Sequence, residues 1–86
     1  MKRDKTIHNK SYSNLIEKLR LERKCLGLSQ VEVAERLNLT QSEMSKLESG
    51  DRRMDIVEFK EILRVYRINE NSKLNGFVME FFGLER

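Results

Sequence analysis

Apolar residues recur three and four places apart through most of the chain and never alternate over a strand's length, so the sequence predicts helices alone. Leu15, Leu19 and Leu26, with Ile16 beside them, form the first stripe and predict a helix over Ser13–Leu26. Gly27 closes it, and Cys25 falls in or beside its apolar face. Val33, Ala34 and Leu37 mark a second helix, and Met44 and Leu47 a third that stops at Gly50. Ile56, Phe59, Ile62, Leu63 and Tyr66 predict a fourth. After the polar break "NENS" at 69–72, Leu74, Phe77, Val78 and Phe81 predict a fifth.

The polar residues say where these helices begin. Ser29-Gln30-Val31-Glu32, Thr40-Gln41-Ser42-Glu43 and Asp55-Ile56-Val57-Glu58 each read as a capping box, in which the first side chain and the Glu three places on satisfy amide donors reciprocally. The first two boxes stand eleven residues apart, leaving only Asn38, Leu39 and Thr40 between the second and third stripes. Two helices joined so tightly cannot run antiparallel for any distance. They must cross steeply, as in a helix-turn-helix, with small Ala34 where the crossing is closest. Val33, Leu37, Leu39, Met44 and Leu47 then form the packed underside, and Gln41, Ser42, Ser45 and Lys46 the outer face of the third helix. That helix is about 12 Å long, a match for a DNA major groove about 12 Å wide.

Composition narrows the class. The chain has 86 residues, 38% apolar and 36% charged, which suits one small folded domain and lacks the apolar depletion of a disordered chain. A single cysteine rules out an internal disulfide, and no stretch is apolar for long enough to span a membrane or to serve as a signal-peptide core. A cytoplasmic location with no membrane contact is expected. The net charge of +3 resides in residues 1–12, where Lys2, Arg3, Lys5 and Lys10 outweigh Asp4; the other 13 basic and 13 acidic residues cancel. The expected organisation is a flexible basic arm over 1–12, either a solvated tail or an aid to anion binding, and a single domain over 13–86. Enzyme chemistry has little to build on. The lone histidine, His8, is far in sequence from Cys25, no phosphate-cradling glycine loop is present, and Glu58 and Glu61 fall on the solvent side of a helix. No catalytic residue, metal or cofactor is expected.

The segments "IEKLRLERKCLGLSQ", "VAERLNLTQSEMSKLESGDRR" and "DIVEFKEIL" resemble, in order and spacing, the successive helices of the lambda-repressor-like helix-turn-helix domains, also called the XRE or Cro/repressor type. The resemblance runs from about Leu15 to Ile68 and implies an all-α, compact five-helix DNA-binding fold. Two positions depart from the family pattern: Asn38 stands where glycine is common in the turn, and Met54 where proline is common after "GDRR". Asn tolerates left-handed backbone better than most side chains, so the first departure is mild; the second bears only on how rigidly the chain enters the fourth helix.

By this resemblance the first turn of the third helix reads base edges. Gln41 suits adenine N6 and N7, Lys46 suits guanine O6 and N7 or else a phosphate, and Ser42 and Ser45 suit several bases. Gln30, at a helix start whose amides attract anions, is implied to meet a phosphate, as are Thr40 and the post-helix pair Arg52 and Arg53. Arg23 and Glu48 are implied to form a structural salt bridge holding the third helix to the first. The expected function is a sequence-specific transcriptional regulator of double-stranded DNA, a repressor binding an inverted repeat as a homodimer. The alternative is an antitoxin-type protein that also holds a partner toxin. Similar small repressors often pair through C-terminal elements. Met79 and Phe82 extend the apolar surface of the fifth helix beyond its stripe, and Phe77, Val78, Phe81 and Phe82 are the expected dimer interface; the alternative is that this helix only completes the monomer core.

Overall fold

The computed structural model describes residues 10–84, which form five α-helices and no strand. These are α1 (Lys10–Cys25), α2 (Gln30–Leu37), α3 (Gln41–Ser49), α4 (Ile56–Val65) and α5 (Ser72–Phe82), with a 3-10 turn at Ile68–Glu70 before the last. Three of the helices begin at the capping boxes read from the sequence. Glu32 N donates to Ser29 Oγ at 3.0 Å and Ser29 N to Glu32 Oε1 at 2.8 Å. The Thr40–Glu43 and Asp55–Glu58 pairs repeat that exchange. Asn71 caps α5 by accepting from Leu74 N at 3.0 Å, while its amide donates to Glu22 on α1. That contact satisfies a carboxylate buried in the bundle and pins the start of α5 to α1.

The core joins Leu15, Ile16 and Leu19 of α1 to Val33 and Ala34 of α2, Met44 of α3, Phe59 and Ile62 of α4, Tyr66, and Leu74 and Val78 of α5. Leu47 of α3 is fully enclosed as well. Tyr66, Met44 and Leu47 are the largest of the fully buried side chains. No helix among the described residues is long and apolar enough to cross a membrane.

Four details differ from the sequence reading. Helix α1 begins at Lys10 rather than Ser13, so residues 10–12 of the expected arm are helical and Tyr12 is buried; residues 1–9 lie outside the described residues. Leu26 is exposed, because α1 ends at Cys25 and the chain has already turned towards Gly27. Leu37 and Leu63 are only half-buried. Ile56, expected in the core, is 71% exposed. It continues the apolar stripe of α4 one turn beyond the cover of α1 and α5, and so lines the mouth of a groove.

Candidate nucleic-acid interface

The turn between α2 and α3 rests on Asn38, whose φ of +62° is the left-handed conformation that ends a helix. Leu39 N donates back to Ala34 O at 2.8 Å and Asn38 N to Glu35 O at 3.1 Å, so the freed carbonyls of α2 are satisfied within the turn itself. At the far end of α3, Gly50 reverses the chain at φ +87°. Between these stops α3 buries Met44 and Leu47 and exposes Gln41, Ser42, Ser45 and Lys46. The structure therefore gathers the four sequence-predicted base-reading residues on one exposed side of one helix.

Thr40 and Glu43 share the start of that helix. Hydrogen bonds from Thr40, its backbone N–H above all, hold the Glu43 carboxyl below the usual carboxylate range and keep it charged. Thr40 Oγ1 accepts from Glu43 N at 3.0 Å, the reciprocal half of the same box.

Arg23 and Glu48 meet as a bidentate pair, with Nε to Oε2 at 2.7 Å and Nη2 to Oε1 at 3.0 Å. Their side chains are 9% and 8% exposed. The third edge of the guanidinium donates from Nη1 to Leu28 O at 2.8 Å, just ahead of the Ser29 cap. One side chain of α1 thus ties down both the start of α2 and the end of α3. Hydrogen bonding to Glu48 pushes the Arg23 pKa up from an already high value, so the guanidinium stays charged. Gln30, the phosphate candidate at the start of α2, donates from Nε2 to the same Glu48 Oε1 at 2.9 Å. Its amide is oriented by the pair, a link with no local signature in the sequence.

The two arginines after α3 are placed differently. Arg52, expected on a phosphate, is half-buried and donates from Nη2 to Glu58 Oε2 at 2.7 Å, while its amide donates to Lys46 O at 3.2 Å. Its charge is committed to the first turn of α4, because Glu58 both closes the Asp55 capping box and faces back over the loop. Arg53 is exposed, and its guanidinium carbon lies 4.4 Å from the centre of the Tyr12 ring.

The expected dimer residues also divide. Val78, expected at the interface, is buried in the core, where no partner can reach it. Phe77 is half-buried, with the Lys18 ammonium 5.7 Å from its ring centre. Phe81 is half-buried and meets Phe82 edge-on at 5.0 Å, and Phe82, 5.9 Å from Phe59, remains 48% exposed. Beside Phe82 opens an apolar groove of about 250 Å³, bounded by Tyr12, Leu15, Ile56, Phe59 and Phe81.

A family model described as a helix-turn-helix domain matches residues 15–72. No curated protein matches the chain. The matched stretch runs from the first core leucine of α1 to the first residue of α5 and contains the capped, left-handed turn, the exposed face of α3 and the Arg23–Glu48 brace. The chain belongs to the helix-turn-helix domain family, and this is a DNA-binding domain in keeping with its lambda-repressor-like sequence.

Proposed function

We propose that the protein is a sequence-specific transcriptional regulator, a repressor that binds an inverted-repeat operator as a homodimer. The observation that carries this reading is the division of α3. Met44 and Leu47 fix one side in the core, and Gln41, Ser42, Ser45 and Lys46 present amide, hydroxyl and ammonium groups on the other. Those groups are the donors and acceptors that base edges in the major groove can discriminate. Around this face Gln30, Thr40 and Arg53 supply donors for phosphates, which fix register without reading sequence. Arg52 has a different part: paired with Glu58, it shapes the loop that carries Arg53.

Readers and positioners differ in what their loss does. Gln41→Ala should cost about 1–3 kcal/mol on the preferred operator and relax selection at a single base step. Arg53→Ala should weaken operator and random DNA alike. It should also flatten the slope of log affinity against log salt by about 0.9. Fluorescence anisotropy on both DNAs over a salt series measures these quantities. Equal losses on operator and random DNA for Gln41→Ala would remove it from base reading.

A further inference from the structure

We infer that Tyr12 is a positioning residue for DNA binding: it is the platform that aims Arg53 at the sugar-phosphate backbone. This rests on the reading of Arg53 as a phosphate contact. Tyr12 belongs to the first turn of α1, 41 positions from Arg53 in sequence, yet it holds the loop after α3 at two adjacent points. Its hydroxyl oxygen accepts from Met54 N at 2.9 Å, and its ring lies under the Arg53 guanidinium at 4.4 Å. The first contact needs an amide proton. Met54 provides one where proline, common at this position in similar domains, has none.

The second contact suits the task chemically. A guanidinium stacks through its face, whereas its N–H donors radiate from the edge, so one group can lie on a ring and donate to an anion together. An exposed arginine otherwise pays side-chain entropy each time it is ordered against DNA. Tyr12 is itself buried among Leu15, Met54 and Phe59 in the wall of the groove, so the platform is rigid. Holding Arg53 there before DNA arrives removes part of that ordering cost.

The test is a double-mutant cycle read on random-sequence DNA at fixed salt, with each variant's folded fraction set by urea unfolding. Tyr12→Leu should weaken binding about two- to five-fold, the range of an exposed cation–π contact. In an Arg53→Ala background it should weaken binding no further. Tyr12→Phe, which keeps the ring, should retain most of the affinity. In the unaltered protein the ring current should move the Arg53 side-chain protons upfield of their random-coil positions, a readout that needs no variant to fold. Additive losses in the cycle, or Arg53 protons at random-coil positions, would overturn the inference. An Arg53→Ala variant that binds random DNA as tightly as the parent would instead overturn the phosphate reading beneath it.

Discussion

Glu48→Ala should destabilise the domain by about 3 kcal/mol. Removing one partner of a buried ion pair costs about 3–5 kcal/mol, because the remaining charge is left desolvated and unmatched. The small residual exposure of both side chains, 9% and 8%, sets the expectation at the low end of that range. Three donors lose their acceptor at once: two from Arg23 and one from Gln30. Glu48→Gln should fall between, since the carboxamide keeps the shape but turns an NH2 group towards a guanidinium. Urea unfolding of Glu48→Ala, Arg23→Ala and the double variant forms the cycle. A coupling near zero would mean that the pair does not brace α1 against α3. Loss of the brace should also lower affinity for operator and random DNA alike, through Gln30, which Glu48 orients at the start of α2.

Ile56→Glu should abolish dimerisation and weaken operator binding by about 10²–10⁴-fold while leaving the monomer folded. The expected loss is that of an effective concentration, since each half-site must then be filled independently. The surface in question combines Ile56 and Phe82, 71% and 48% exposed, with the apolar groove between them. In the proposed homodimer a two-fold axis would run through this patch, so that each copy's Phe82 enters the other's groove in the self-complementary arrangement of an isologous dimer. Ile56 is the better position to alter, because it opens α4, where an added carboxylate is favourable to the helix dipole and disturbs no core contact. Phe82→Glu should give the same monomer. Sedimentation of either folded variant as an unchanged dimer would place the interface elsewhere.

Helix starts were legible because they are local. Each capping box lies within four residues and carries its own chemistry, so Ser29, Thr40 and Asp55 open helices as their side chains require. The same holds for Asn38, a side chain suited to the left-handed turn it makes. The start of α1 was less legible, since Lys10 and Ser11 offer no capping signature and Tyr12 has an apolar ring with a polar tip. Burial was legible only inside each stripe and not at its ends. Ile56 shares the stripe of Phe59 and Ile62, and nothing local records that the neighbouring helices stop short of it. Val78 shows the converse, since the count of apolar residues on α5 revealed a surplus without saying which of them the core absorbs. Long-range polar partners were hidden altogether where no family pattern pointed to them. Glu58 for Arg52, Asn71 for Glu22 and Tyr12 for Met54 and Arg53 are meetings set by the packing of α1, α4 and α5.

Selection of bound sites from random-sequence DNA, followed by footprinting of the winners, tests the proposed regulator most directly. A dimer presenting two copies of α3 should select an inverted repeat whose half-site centres are about 10 bp apart, or a small multiple of that spacing. Footprints should then protect two adjacent major grooves on one face of the duplex. Recovery of isolated half-sites, or of no shared sequence at all, would contradict a dimer that reads DNA through Gln41, Ser42, Ser45 and Lys46.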